Sequence, residues 1–383
     1  MRAQLKLLFL FVMIGFCANA QTINPRLIHS LPSALTESSG VTAQNANSVW
    51  SHNDATNNNE LYQFDTLGNL LRTLVITNAV NTDWEEVCRD DNGDFYIGDF
   101  GNNLNDRTDL KILMVPNPSI IIGDSVAAQV INFSYPDQFA FPPHDSLKNF
   151  DMEAMFWFND SLYLFSKNRT VPYNGYTKMY KLPALPGNYV AQLTDSFFTG
   201  NGNLINNSIT SATISTSGDK MLLISNTKGW LFNGFTGNDF FSGNVFAFTF
   251  GGITSQKEGS TFINSNEVYF TDEKVFSTGG NLYGYDFSTV VGSENLSQTM
   301  NEFKVSPNPT GNTLRISFKF PFTRISALKI LNNKGEEVFQ LGNIDMNDAF
   351  FYEVNSKSFL NGVYFVQLFT SKGYFLKRLT VVH

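Results

Sequence analysis

The sequence predicts an all-β chain: a five-bladed β-propeller, with room for a sixth blade, followed by a small immunoglobulin-like β-sandwich. Three observations carry this. Aromatic residues make up 14% of the 383 residues, with Phe alone at 37 copies, which suits pleated, half-buried surfaces. No stretch repeats its apolar residues at the helical period. Short apolar runs recur between turns rich in Gly, Asn and Asp, and each group of runs opens with a similar phrase.

Those phrases define the units. They begin Glu37-Ser38-Ser39-Gly40, Asp83-Trp84-Glu85-Glu86, Asp151-Met152-Glu153-Ala154 and Gln256-Lys257-Glu258-Gly259, with an acid-free copy at Ile209-Thr210-Ser211. A second strand follows in each, at 48–50, 95–97, 162–164, 221–223 and 268–270. Third strands are expected at 60–62, 110–112, 178–180, 230–232 and 281–283, and fourth strands near Leu74, Val130, Val190 and Phe246. The fifth unit has no fourth strand of its own, so 26–31 is expected to supply it and tie the ring shut. A four-stranded meander cannot bury both faces alone, whereas neighbours around a ring bury them mutually. The longer gap between Asp83 and Asp151 is what leaves room for a sixth blade.

Residues 1–20 read as an export signal, with Arg2 and Lys6, an apolar stretch and Ala18-Asn19-Ala20 for signal peptidase. No apolar run reaches the ~18–20 residues of a membrane span. Of 2 Cys, only Cys88 survives cleavage, so no internal disulfide forms, and its apolar surroundings make it a small buried hydrophobe. Residues 21–302 carry 14 Lys and Arg against 29 Asp and Glu, whereas 303–383 carry 10 against 5. The sign change predicts a propeller over 21–292, a linker at 293–302 and a separate domain over 303–383. The net charge of −8 argues against nucleic acid as a partner.

The C-terminal phrases are Lys304-Val305-Ser306-Pro307-Asn308-Pro309, Asn332-Asn333-Lys334-Gly335, Leu360-Asn361-Gly362-Val363-Tyr364 and Lys377-Arg378-Leu379. Their order resembles the type A sorting domain of type IX secretion cargo in Bacteroidota, carried by Pro307, Asn308, Pro309, Gly335, Gly362 and Tyr364. The resemblance implies recognition by the type IX machinery and a place outside the cell or on the outer-membrane surface, reached through the periplasm. Asn333-Lys334-Gly335 and Asn361-Gly362 both read as hairpin turns. The repeat phrasing, with Trp50-Ser51-His52-Asn53-Asp54 and Tyr96-Ile97-Gly98-Asp99, is similar to secreted bacterial propellers of the esterase-like phytase and NHL-like kinds.

Glu37, Asp83, Glu85, Asp151, Glu153 and Glu258 open their units, so a ring gathers them at one channel mouth, with Asp54, Asp99, Asp272 and Glu273 nearby. Close like charges share protons or hold a hard cation such as Ca²⁺; the same acids also suit hydrogen bonds between blades. Lys167 and Arg169 either bind an anion or pair with these carboxylates. His52 reads as a hydrogen-bonded strand end, and Asp90-Asp91-Asn92-Gly93-Asp94 as a hairpin rather than a calcium loop. The sequence lacks Gly-x-Ser-x-Gly, His-Glu-x-x-His and a phosphate-binding Gly loop. Two functions remain: a binding or scaffold propeller for a glycan, peptide or phosphoester, and a metal-dependent phosphoester or ester hydrolase of the phytase-like kind.

Overall fold

The computed structural model describes residues 21–252, 255–288, 303–318, 325–332, 336–344, 351–370 and 373–383. The expected leader, the 293–302 linker and the turn at Gly335 lie outside them. The described residues are almost entirely strands joined by turns.

The N-terminal strands are β1 (Gln21–Ile23) and β2 (Arg26–Ser30). Blade 1 holds β3 (Ser38–Asn45), β4 (Ser48–Asn53), β5 (Glu60–Phe64) and β6 (Leu70–Ile76). Blade 2 holds β7 (Trp84–Arg89), β8 (Phe95–Asp99) and β9 (Lys111–Val115); β10 (Ser125–Val126) then leaves it, and β11 (Gln129–Ser134) returns. Blade 3 repeats the excursion: β12 (Asp151–Phe158), β13 (Ser161–Lys167), β14 (Tyr176–Pro183), the departing β15 (Gly187–Val190) and β16 (Gln192–Phe198). Blade 4 is β17 (Ser211–Ile214), β18 (Lys220–Ile224), β19 (Lys228–Asn233) and β20 (Asn244–Phe250). Blade 5 is β21 (Lys257–Phe262), β22 (Glu267–Asp272) and β23 (Asn281–Asp286).

The inner strands β3, β7, β12, β17 and β21 lie side by side in that order, and β21 lies beside β3 again. This closed cycle makes the five sheets a β-propeller. Gly40 on β3 marks how close the strands come: a Cβ there would stand 2.4 Å from the Val87 nitrogen on β7. At the last junction Tyr269 donates to the Ala46 carbonyl at 3.2 Å and the Lys274 N–H to the Thr36 carbonyl at 3.1 Å. As expected, β2 pairs antiparallel with β23 and completes blade 5.

Packing follows from the ring. Each interface between blades has its own apolar cluster, such as Trp50, Leu61 and Leu74 of blade 1 against Trp84, Phe95 and Ile97 of blade 2. The second strands are covered on both faces, so β4 and β8 are buried throughout and do not alternate. Cys88 belongs to the cluster between blades 2 and 3, and burial pushes its thiol up. The turn at Asp90–Asp94 is a hairpin, with the Asp90 carboxylate accepting the Asn92 and Asp94 N–H groups at 2.9 Å.

Two expectations about the rim change. Val190 is not in a fourth strand of blade 3; it ends β15, which runs parallel to β11 on the edge of blade 2, and β16 takes its place. Strand β10 likewise adds to blade 1 and β1 to blade 4, both in parallel. Each excursion thus staples a blade to its predecessor, and the extra residues between Asp83 and Asp151 are spent on β10 and on the loop before β12.

The C-terminal strands are β24 (Phe303–Ser306), β25 (Thr313–Phe318), β26 (Ile325–Asn332), β27 (Glu337–Ile344), β28 (Phe351–Asn355), β29 (Gly362–Thr370) and β30 (Gly373–Val381). They form sheets β24-β25-β28 and β27-β26-β29-β30, which share one core including Leu314, Ile316, Leu328, Val366 and Leu379. Asn361-Gly362 is not a hairpin turn. It joins β28 to β29 across the two sheets, because the core requires the chain to change layers there.

Ile23 is 1% exposed, inside the cluster shared by blades 4 and 5. Ile23→Ala should therefore lower unfolding free energy by about 2–4 kcal/mol in denaturant titration. An unchanged midpoint would mean that β1 does not help hold the ring.

Candidate functional site at the channel mouth

The register of the inner strands decides where their acids go. Trp84 faces Asp99 and Glu86 faces Gly98, so Glu85 is an extra residue. Glu153 is extra between Met152 and Ala154, and Glu258 between Lys257 and Gly259. Blade 1 carries the same shift between Ser38 and Val41, while β17 pairs with β18 without a break. A bulge turns one side chain out of strict alternation. Here it directs three carboxylates into one mouth.

Glu37, Asp54, Glu85, Glu153, Glu258 and Glu273 line a cavity of about 200 Å³ there, with Lys167 and Arg169. Asp83 and Asp151 complete two compact groups, Asp54–Asp83–Glu85 and Glu85–Asp151–Glu153, whose oxygens lie within 4.8 Å of one another. All six acids expected at the mouth are therefore at or beside it. Asp99 and Asp272, expected nearby, do not line the cavity: Asp99 stands close enough to act on Asp83 but pairs with Arg107 at 2.9 Å, and Asp272 pairs with Lys257 at 3.1 Å.

The mouth has sectors of different character. In blade 3, Lys167 Nζ stands 2.7 Å from Glu153 Oε2, and Arg169 Nε stands 2.7 Å from Asp151 Oδ2. Both bases thus face carboxylates, and Glu153, Glu258 and Glu85 raise the Lys167 ammonium against the lowering effect of burial. At the rim, neutral amides orient acids without neutralising them: Asn57 donates to Glu37 at 2.6 Å, Asn226 to Glu258 at 2.9 Å and Gln256 to Glu273 at 2.6 Å.

Between blades 1 and 2, among the described residues, no base makes an ion pair with the acids; Lys167 and Arg107 act on them only from a distance. The Asp54 carboxylate accepts the Ala55 N–H at 2.6 Å. Among the described residues, nothing donates to the carboxylates of Asp83 or Glu85, and neither forms an ion pair. Burial, then repulsion from Asp54 and Asp151, pushes Asp83 up to about 7 against a smaller opposite pull from Arg107. Burial, followed by Glu153, Asp54 and Asp83, holds Glu85 well above the carboxylate range.

Sequence reasoning passed over Glu86. It is 1% exposed and reaches from blade 2 to blade 4, where Ser211 Oγ donates to its Oε2 at 2.6 Å. Burial raises this carboxyl well above its ordinary range, against the opposing pull of the Ser211, Ala212 and Val87 donors. Beyond Glu86 a second cavity of about 340 Å³ opens near Thr42, Asp91 and Thr261. Its only sequence signal was a second Glu beside Glu85. His52 is neutral: burial lowers it to about 4, and its Nδ1 donates to the Asn53 carbonyl at 3.1 Å.

In the C-terminal sheets, Asn308 clasps β30. Its amide donates to the Arg378 carbonyl at 3.0 Å and its oxygen accepts the Thr380 N–H at 2.9 Å. Pro307 and Pro309 flank that clasp, Gly362 opens β29, and Tyr364 donates to the Leu360 carbonyl at 2.8 Å.

Residues 304–382 match the family of secretion system C-terminal sorting domains. Domains of this family mark proteins exported by the type IX secretion system to the cell surface or the extracellular space. Among the described residues, no helix is long and apolar enough to cross a membrane. No curated protein matches the sequence. Among solved structures the chain is similar to PorZ of Porphyromonas gingivalis, described as an essential bacterial surface component of its type-IX secretion system (TM-score 0.36, 13% identity, 90% of this chain and 45% of that one). This chain thus spans less than half of PorZ. It is also similar to the β-propeller domain of Cps50 (Swd1) from Myceliophteria thermophila (TM-score 0.36, 8% identity, 68% of this chain and 99% of that one).

Two outcomes follow. Without residues 303–383 the protein should stop in the periplasm of a type IX host; fractionation that finds it at the surface would contradict this. The second concerns pH. Folded Asp83 holds its proton more tightly than the unfolded chain does, so its stabilisation is complete below the ordinary carboxylate range and disappears as pH rises through about 7. In buffer without divalent cations, the melting temperature should fall from about pH 6 to about pH 8, and Asp83→Asn should reduce the slope, with Glu153, which burial raises to about 8, supplying part of the remainder. A rise over that interval would contradict the assignment.

Proposed function

We propose that the chain is an extracellular binding module, delivered by the type IX route, whose acidic mouth receives a positively charged group of a peptide ligand. One observation carries the reading: eight carboxylates gather at or beside one mouth with two bases, and both bases are already paired. Such a mouth attracts cations and repels anions through its summed field. The amide-held acids Glu258 and Glu273, both half-buried, are positioned to meet a basic side chain first, while the buried Glu85 and Glu153 lie deeper.

The phosphoester-hydrolase alternative needs bases free to hold an anion. Lys167 and Arg169 are tied to Glu153 and Asp151, so that reading gains no support.

The test is fluorescence anisotropy with a labelled oligolysine peptide and its oligoglutamate counterpart. Oligolysine should bind, with affinity that falls as salt rises, and oligoglutamate should not. Glu258→Gln combined with Glu273→Gln should weaken oligolysine binding by about fivefold or more. Equal binding by the double variant would mean that the mouth is not the recognition surface.

A further inference from the structure

The sector between blades 1 and 2, whose acids make no ion pair among the described residues, differs from the rest of the mouth. Asp54 follows the end of β4, and Asp83 and Glu85 stand at the start of β7. Their oxygens come within 4.8 Å of one another. That span is about twice a Ca²⁺–oxygen distance of roughly 2.4 Å, the scale on which one ion gathers several carboxylates.

A cluster of acids alone would not point to a ligand, but Glu85 does. It is only 5% exposed, it lines the cavity, and among the described residues its carboxylate has no hydrogen-bond donor and no ion-pair partner. A buried carboxylate without a partner is costly, and here the backbone has been shaped to keep it there. Gly101 provides the space: a Cβ at that position would lie 2.3 Å from Glu85 Oε1 and 2.5 Å from Asp83 Oδ2. Gly101 also donates its N–H to the Asp83 carbonyl at 3.2 Å, which holds the loop against the acids.

We propose that Asp54, Asp83 and Glu85 form a calcium site. This deepens the reading of the mouth as a place for positive charge, and rests on it. The donors are all oxygens, as a hard cation requires, and neither His nor Cys stands in the set. Three carboxylates supply part of a six- to eight-oxygen shell, which the open side of the cavity leaves water free to complete. The neighbouring group Glu85–Asp151–Glu153 is a poorer host, because Arg169 and Lys167 already occupy Asp151 and Glu153. The ion would join blade 1 to blade 2 close to the channel axis.

Calorimetric titration of the chelator-stripped mature chain with CaCl₂ tests the site. One ion should bind per chain, and calcium at about a hundredfold excess over Kd should raise the melting temperature by roughly 5 °C. Sodium at matched ionic strength should not. Asp83→Asn, Glu85→Gln and Gly101→Ala should each weaken calcium binding by about tenfold or more, and Glu258→Gln by less than about threefold. In EDTA the two amide variants should melt at or above the wild type, because the substitutions relieve repulsion; this separates loss of the site from failure to fold. Absence of calcium binding, or full binding in both Asp83→Asn and Glu85→Gln, would overturn the proposal. So would loss of binding in Glu153→Gln with retention in Asp83→Asn, which would move the ion to the neighbouring group. If calcium fails while oligolysine still binds, the calcium site falls and the peptide reading stands. If both fail, the mouth is not a site for positive charge.

Discussion

An inner strand with one residue too many is the constraint on which the rest of the mouth depends. Around a closed ring the inner strands face neighbours on both sides, so a regular strand sends its side chains into the interfaces between blades. The extra residue breaks that alternation. In blades 2, 3 and 5 it is a glutamate, and the bulge brings Glu85, Glu153 and Glu258 to the same end of the channel. Blade 4 has no break and contributes no carboxylate. The mouth is therefore lopsided, and the acids with neither a hydrogen-bond donor nor an ion-pair partner among the described residues, Asp83 and Glu85, stand at the start of blade 2.

Much of the fold was legible because the strand signal is local. Runs such as Phe95-Tyr96-Ile97 and Leu162-Tyr163-Leu164 are covered on both faces, and no other element suits short apolar runs between Asn-Gly turns. The outer strands were harder. β16 is largely exposed and carries little apolar pattern, while β15 looks like a better strand yet belongs to another blade. Parallel edge strands of two to four residues leave no local trace, since their pairing is decided by the rim of the neighbouring sheet. Asn361-Gly362 misled for a related reason: the dipeptide marks a turn but does not say whether the next strand joins the same layer.

The site was legible in outline and not in detail. That acids opening each unit would meet followed from the repeat. Which of them would keep their charge did not, because pairing depends on register and on partners distant in sequence. Asp151 and Glu153 look identical to Asp83 and Glu85 as phrases, yet Arg169 and Lys167 pair with the former, and among the described residues no donor or ion-pair partner meets the latter. Asp54 joins the unpaired group from another blade. Glu86 is the plainest case: one position from Glu85, it lies on the other side of the bulge and accepts from Ser211 of blade 4.

The central claim is that bulge geometry concentrates oxygen donors free of ion pairs between blades 1 and 2. Anomalous diffraction from crystals of the mature chain soaked in Mn²⁺ would examine it at the level of atoms. The account predicts one dominant peak within about 2.5 Å of oxygens from Asp54, Asp83 and Glu85. A mouth without a peak, or a peak held by Asp151 and Glu153 after they release Arg169 and Lys167, would contradict it.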